Sequence, residues 1–270
     1  MAITSRTTTT NRVPMDSLRK TALVAGILYL ITFIAVGTLT LYGPVLKDSA
    51  YVLGSGSDTG VRWGALIEVI VALAGIGTAI TLFPVVKRQN EAFALGFITT
   101  RVLEAAVIFS GVVSLLSLLT LRQDLGAAAG ADAGLLVTAG ASFVANYNAA
   151  FLLGQTLMPG MNALMLGHLM YRSGLVPRAI PMLGLIGGPL MISSAIGQII
   201  GINEPISLWS LIALLPIFAW ELSLGLWLAI KGFKRNAPLL ATTPAAMESP
   251  DGSAMAGASP LAVATKAGAA

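Results

Sequence analysis

Arg101 and Glu104 carry opposite charges inside a long apolar run that extends from Glu91 to Leu121. About 20 apolar residues suffice for a helix to cross a bilayer, so the run is long enough. A charge near the middle of such a helix costs ~2.5–3.5 kcal/mol on insertion scales. The two side chains lie one helical turn apart, so they can pair with each other or with another helix. The pattern predicts a buried ionic centre.

A third charge, Glu221, is expected at a similar depth. Arg101 and Glu104 lie roughly 15–20 Å along the helix from Glu91, and Glu221 lies roughly 15 Å before Lys231. One arginine against two glutamates leaves a surplus negative charge, so the centre would hold a proton or a cation. The cluster is therefore a candidate ion or proton site. It is equally a candidate salt bridge that fixes one helix against another.

Further polar residues extend the candidate site. Glu68 follows Trp63 by only five residues, so this second carboxylate is expected at a different level, near the opposite interface. Polar side chains at helical spacing predict either a cavity lining or bonds between helices. The residues with this spacing are Asn148, Gln155 and Asn162, which are seven residues apart, and the pair Ser194 and Gln198.

Three prolines lie inside apolar runs, at Pro159, Pro189 and Pro216. Each is predicted to kink or break its helix, because proline lacks the backbone N–H that continues the hydrogen-bond ladder. A broken helix beside polar side chains is how many transporters form a site at the membrane midplane.

The composition indicates that lipid is the solvent for much of the chain. Of 270 residues, 56% are hydrophobic and 10% are charged, whereas soluble domains average about 25% charged residues. The basic residues lie at the ends of apolar runs, so the net charge of +4 indicates topology and argues against nucleic-acid binding. With no cysteine and one histidine, His168, we expect neither a metal site nor a cofactor.

The predicted fold is all-α, a polytopic membrane bundle of six transmembrane helices. The bundle is expected over residues 19–235, between a disordered N-terminal tail (1–18, starting at Met1 or at Met15) and a disordered C-terminal tail (236–270). Residues 122–145 are rich in alanine and glycine and are predicted to form a loop with a short interfacial helix. The predicted spans are 21–42, 63–86, 94–121, 149–171, 179–200 and 208–230.

The Lys and Arg residues are distributed unevenly between the two sets of loops. One set holds four in the N-terminal tail, two at 87–88, two at 172 and 178, and three within 231–235. The other holds only Lys47, Arg62 and Arg122. The positive-inside rule therefore predicts that both termini are cytoplasmic.

Several stretches resemble a known family. They are GALIEVIVALAGIGTAITLFPVVKRQNEAFALGF, RVLEAAVIFSGVVSLLSLLTLRQ, LMPGMNALMLGHLMYRSGLVPRAIPMLGLIGGPL and WELSLGLWLAIKGF. Together they are similar to the bacterial membrane proteins of domain-of-unknown-function family 4386, over about residues 18–234.

The resemblance implies a multi-pass protein of the bacterial inner (cytoplasmic) membrane, with no agreed activity. It also implies the same residue types at Arg101, Glu104, Asn162, Arg172 and Glu221. His168 departs from the family pattern, in which a tyrosine is more usual at that place, and this departure argues against a catalytic or ligand role for it.

Three functions remain open, and in all of them the bilayer is the main partner. The first is translocation of a small solute, a cation or a proton through the Arg101, Glu104 and Glu221 centre. The second is a structural or regulatory subunit in which the same cluster only clamps helices, with a homo-oligomer or membrane partner bound through the small-residue face at Gly75 and Ala79. The third is an enzyme acting on lipid, but no nucleophile or metal motif indicates an enzyme.

Overall fold

The structure is a computed structural model that describes residues 16–54, 57–125 and 132–241. In these ranges every regular secondary-structure element is a helix. The α-helices are α1 (Ser17–Thr32), α2 (Thr38–Leu41), α3 (Gly43–Lys47), α4 (Thr59–Val86), α5 (Glu91–Leu125), α6 (Ala133–Ala150), α7 (Met158–Ser173), α8 (Ala179–Ile199), α9 (Leu208–Ile230) and α10 (Pro238–Ala241). Two 3-10 helices (Phe33–Gly37 and Tyr51–Leu53) and a π-helix (Phe151–Leu157) complete the set.

Six helical segments of the described residues are long and apolar enough to cross a membrane, which confirms the predicted number. In chain order, the first to sixth spans are Ser17–Leu41, Thr59–Val86, Glu91–Asp124, Ala133–Ser173, Ala179–Ile199 and Leu208–Ile230. Large apolar side chains such as Leu73, Ile80 and Leu215 are more than half exposed on the outside of the bundle. Lipid is the solvent in which such a surface is stable.

The six spans form a closed ring. Each packs against the spans before and after it in sequence, and the first also packs against the sixth. Gly26 and Gly225 allow this last contact, since a Cβ on Gly26 would overlap the backbone of Ala229 and one on Gly225 would lie 3.2 Å from the Tyr29 Cβ. Small residues let membrane helices approach closely in this way.

Successive spans alternate in direction, so the ring has two ends. The side where α1 begins and α9 ends is called the tail side here, and the other is called the loop side. On the tail side, the Arg19 guanidinium donates to the carbonyls of Leu228, Ala229 and Ile230 at 2.7–3.1 Å. These carbonyls belong to the last turn of α9 and have no partner within the helix, so Arg19 caps that end.

The fourth span begins well before its predicted start. Residues 133–150 form α6, whereas the sequence predicted a loop over 122–145. Asp132 caps this helix, since its carboxylate accepts from the backbone N–H of Gly134 at 2.8 Å and of Leu135 at 3.3 Å. Alanine favours a helix although its hydropathy is low, and the prediction weighted hydropathy too heavily. Residues 126–131 of the predicted loop lie outside the described residues.

No break occurs at Pro189 or Pro216, so that part of the proline prediction is wrong, whereas a kink at these residues stays a prediction. Pro189 and Pro216 lie inside continuous α-helices. Pro159 lies directly after the π-helix, where the hydrogen-bond ladder of the fourth span changes from π to α. Membrane helices tolerate proline because neighbouring helices and local adjustments compensate the freed carbonyl.

The C-terminal tail begins later than predicted. Residues 236–241 continue the fold, because Pro238–Ala241 form a helical turn and Ala237 and Leu239 are buried in the core. The backbone N–H of Lys234 also donates to the Leu175 carbonyl at 2.8 Å. The predicted disorder at 1–15 and 242–270, and the choice between Met1 and Met15 as the start, lie outside the described residues.

Candidate functional site

Four spans each contribute one polar side chain at the same distance from the tail side. The four are Tyr29, Arg101, Asn162 and Glu221, which lie ten residues from Arg19, Glu91, Arg172 and Lys231 respectively. Ten helical residues cover about 15 Å, which is half of a hydrocarbon core about 30 Å thick. Sequence and helix geometry alone therefore put these side chains in one layer near the midplane.

Arg101 is the hub of this layer. Its guanidinium donates to Glu104 Oε2 at 2.9 Å, to Glu221 Oε1 at 3.1 Å and to the Tyr29 hydroxyl at 3.2 Å. The residue is only 4% exposed. Both carboxylates therefore form ion pairs with the same arginine, and the first, third and sixth spans meet at one guanidinium.

The fourth span joins the hub through Asn162. Its amide donates to Glu104 Oε2 at 2.7 Å, so this oxygen accepts from both Asn162 and Arg101. Two buried polar atoms of the layer, Arg101 Nε and Asn162 Oδ1, have no hydrogen-bond partner in the protein. A buried donor or acceptor without a partner is costly unless water or a ligand satisfies it.

A cavity of about 130 Å³ lies against this centre. Arg101, Glu104 and Glu221 form its polar wall. The rest of the wall comes from the first, second, third and fourth spans: Thr32, Ala35, Val71, Ala72, Gly75, Ala105, Ile108, Gln155 and Pro159. This volume is enough for several water molecules, and the charged wall supplies the polar partners that buried water requires.

Glu68 belongs to a separate centre closer to the loop side. Its carboxylate accepts from the hydroxyls of Tyr42 at 3.2 Å and Tyr147 at 3.0 Å, and from the Gln155 amide at 2.9 Å. Glu68 is only 1% exposed. Gly75, which lies beside the Arg101 side chain, is seven residues further along α4, so the two centres are separated by about 10 Å along the helix.

The π-helix decides which residues of the fourth span face inward. Asn148, Gln155 and Asn162 would share one face of a regular α-helix, but Asn148 is exposed and lines a different cavity near Lys47 and Asp48. Tyr147 occupies the inward position instead. A π-turn inserts one extra residue, so two turns back from Gln155 arrive at Tyr147. The expected alignment of Asn148 with the other two is therefore wrong.

Ser194 and Gln198 lie in another network, at the loop-side end of the fifth and sixth spans. Ser194 Oγ is 3.1 Å from Ser210 Oγ, and the Asn203 amide donates to Ser194 Oγ at 3.0 Å. Gln198 donates to the same Ser194 oxygen at 3.4 Å. These bonds join the two spans at their connection, and neither residue lines the cavity beside Arg101.

The predicted partner surface at Gly75 and Ala79 is wrong. Both residues are buried inside the bundle, together with Ala72. A Cβ on Gly75 would lie 3.8 Å from Arg101 Cδ, so the small residue makes room for the arginine. The small-residue face of the second span thus serves the contact between the second and third spans.

Sequence reasoning missed the tyrosines. Tyr29, Tyr42 and Tyr147 all bind charged groups of the two centres. The signal for Tyr29 was its ten-residue distance from Arg19, the same offset that located Glu221. Tyr147 had no such signal, because it faces inward only through the π-turn.

His168 stacks on the Phe93 ring, with ring centroids 4.5 Å apart and an angle of 24° between the planes. It contacts neither centre. Over the described residues, no group of three or more His, Asp or Glu side chains is arranged to hold a metal ion. The absence of a metal and of a cofactor stays a prediction.

A family model described as Domain of unknown function (DUF4386) matches residues 24–232. The chain belongs to this family. The match covers the second to sixth spans, most of the first span and both buried centres, and it confirms the resemblance noted in the sequence. Searches of curated proteins and of solved structures find no match. This member of the DUF4386 family is thus a multi-pass membrane protein by its helices.

Proposed function

We propose that the protein translocates protons or small cations through the cavity beside Arg101. The observation that carries the proposal is a polar cavity of about 130 Å³ at the depth of the membrane midplane, lined by Arg101, Glu104 and Glu221. Ionisable residues inside a membrane are expensive, and they commonly line substrate or ion pathways. If this region had only a structural role, apolar side chains that fill the space would stabilise the bundle better than a polar cavity does.

The charge balance favours a cation or proton as the mobile species. Arg101 is paired with two carboxylates, Glu104 and Glu221. The pair Arg101 and Glu104 is neutral, so Glu221 contributes a surplus charge that a proton or a cation can neutralise. Glu221 is also the most accessible of the three, because its side chain is 19% exposed while that of Arg101 is 4% exposed. Uptake and release are therefore assigned to Glu221.

A structural clamp is the second candidate function, and one observation favours it. The two terminal nitrogens of Arg101 already bind groups from the first, third and sixth spans. Such a guanidinium holds three helices in register without moving anything. In that case the protein would be a structural or regulatory subunit of a membrane assembly.

The test combines transport and stability in one variant. Wild-type protein and Glu221→Gln are reconstituted into vesicles, and proton uptake across a pH gradient is followed with an internal pH dye. Glu204→Gln is the matched control, because Glu204 is exposed and lies in a loop. Translocation predicts uptake by wild type and control, and loss of uptake in Glu221→Gln with stability retained. If wild type moves neither protons nor alkali cations while Glu221→Gln unfolds more easily, the clamp is correct.

The orientation and the membrane belong to the same proposal. We propose that the tail side faces the cytoplasm, because Arg19, Lys87, Arg172 and Lys231 all lie at that side. For a bacterial protein, the membrane would be the inner one. The cation would then cross about 15 Å, measured along the helices, between the charge centre and the cytoplasmic end of the bundle.

A further inference from the structure

We propose that Glu68 is a proton-binding site, distinct from the Arg101 centre and connected to its cavity by Gln155. Its connection to transport rests on the proposed function, whereas its ability to bind a proton does not. The ligand is a proton, and the site is Glu68 with Tyr42, Tyr147 and Gln155.

The first support is the absence of any cation beside the carboxylate. Among the described residues, Glu68 forms no ion pair, and its three partners are all neutral donors. Ala105, Ile108 and Val112 of the third span form one buried apolar cluster with Ala65 and Ala72, which lie about one turn on either side of Glu68 on α4. An ionised carboxylate that is 1% exposed is costly without a cation, and the usual remedy is to take up a proton.

The charged groups on the surrounding helices lie at other levels. On the third span, the nearest are Glu104 on the tail side and Arg122 on the loop side, which is bound to Asp58 at 2.8 Å. On α4 itself, Arg62 is exposed. The fourth span offers Glu68 the phenol of Tyr147 and the neutral amide of Gln155, and Tyr42, directly after the first span, offers a second phenol. The groups that surround Glu68 at its own level are therefore neutral.

The second support is that the same three partners suit both protonation states. The ionised carboxylate accepts from two hydroxyls and one amide. The protonated acid needs one acceptor, which a tyrosine oxygen provides after rotation of its hydroxyl, or which Gln155 provides after its amide turns over. A proton can thus bind and leave without depriving a buried polar group of its hydrogen-bond partner.

The third support is the position of Gln155. It donates to Glu68 at 2.9 Å, and it also lines the cavity that contains Arg101, Glu104 and Glu221. It lies in the π-helix Phe151–Leu157, and π-turns in α-helices frequently occur at functional sites. When Gln155 rotates away, the Glu68 proton passes to cavity water, which leaves the carboxylate and a hydronium ion.

Infrared difference spectra between high and low pH test the site directly. A protonated carboxylic acid gives a carbonyl-stretch band that the carboxylate lacks. We expect wild type to show a band that is missing in Glu68→Gln and present in the control Glu204→Gln. Tyr147→Phe should shift the same band, because it removes one hydrogen bond from the carboxyl group. This variant also serves if Glu68→Gln does not fold.

The outcomes separate the inference from the proposed function. Identical spectra for wild type, Glu68→Gln and Tyr147→Phe overturn the inference, regardless of the result of the proton-uptake assay in vesicles. A Glu68 band in a wild-type protein that moves no protons leaves the proton site standing and refutes the proposed function. If wild type moves protons, Glu68→Gln should lower the flux at least tenfold, and an unchanged flux refutes the connection through Gln155.

Discussion

Replacing Arg101 by methionine should destabilise the protein strongly. Methionine keeps an unbranched apolar stem but has no charge, so it removes the bonds to Glu104 at 2.9 Å, Glu221 at 3.1 Å and Tyr29 at 3.2 Å. Removing one partner of a buried ion pair costs about 3–5 kcal/mol, because the other charge is left buried and unpaired. Here two carboxylates lose their partner.

Two limits set the expected magnitude. Hydrogen bonds to charged groups contribute about 1.5–3 kcal/mol each, so three of them could exceed the single-pair figure. The carboxylates can, however, take up protons and so avoid most of the charge burial. We therefore expect a loss of about 3–5 kcal/mol near neutral pH. The loss should shrink as the pH falls, because protonation neutralises the two carboxylates in the folded variant.

Reversible unfolding in mixed detergent micelles measures this free energy. Arg62→Met is the matched control, since Arg62 is exposed at the loop-side end of the second span, and surface changes stay within about 0.5 kcal/mol. If Arg101→Met loses no more than that control, the guanidinium does not hold the spans together. A loss that stays constant from neutral to acidic pH would show that the unpaired carboxylates are not its cause.

Three further predictions address other parts of the molecule. Gly26→Ala should cost about 1–3 kcal/mol of unfolding free energy by overpacking the contact between the first and sixth spans, whereas Gly37→Ala, which meets no atom within 4 Å, should not destabilise. Burial raises the pKa of Tyr51 above its ordinary 10.0. The stability that the neutral phenol contributes is therefore present below pH 10 and is lost as the pH rises further. Thermal melts should show that Tyr51→Phe lowers the stability of the protein less at high pH than at neutral pH. Alkaline phosphatase, active only outside the cytoplasm, should be active when fused within 200–207 and inactive when fused within 174–178, and the opposite pattern would invert the topology.

The number of spans and the charge centre could be predicted because both depend on simple lengths. Hydropathy locates runs that cross the membrane, and the rise of a helix converts sequence distance into depth. Arg101 and Glu221 are 120 residues apart in sequence, yet each lies ten residues from a charge at the tail side. Equal depth, and the need of each buried charge for a partner, were enough to predict that the two residues pair.

The Glu68 centre could be predicted only in part. Its different depth followed from its distance to Trp63, but its partners Tyr42 and Tyr147 did not. The π-turn between Tyr147 and Gln155 shifts the inward face by one residue, and seven-residue spacing therefore pointed to Asn148. The sequence pattern used for the prediction assumes 3.6 residues per turn throughout, so it cannot indicate where a π-turn is inserted.

The prolines illustrate a different limit. Local chemistry predicted breaks at Pro189 and Pro216, since each removes one hydrogen bond. The ring of spans keeps both helices continuous, and no local sequence rule includes that packing.

Cysteine accessibility tests most directly the claim that the space beside Arg101 is open to water. The chain has no cysteine, so single substitutions can be labelled with a small water-soluble methanethiosulfonate in intact vesicles. We expect Ala72→Cys and Ala35→Cys to react, because both residues line the cavity. Leu73→Cys should not react, although Leu73 is 56% exposed, because it faces lipid. If neither cavity cysteine reacts while Ser49→Cys on the loop side does, the cavity is dry and the charge centre is a clamp.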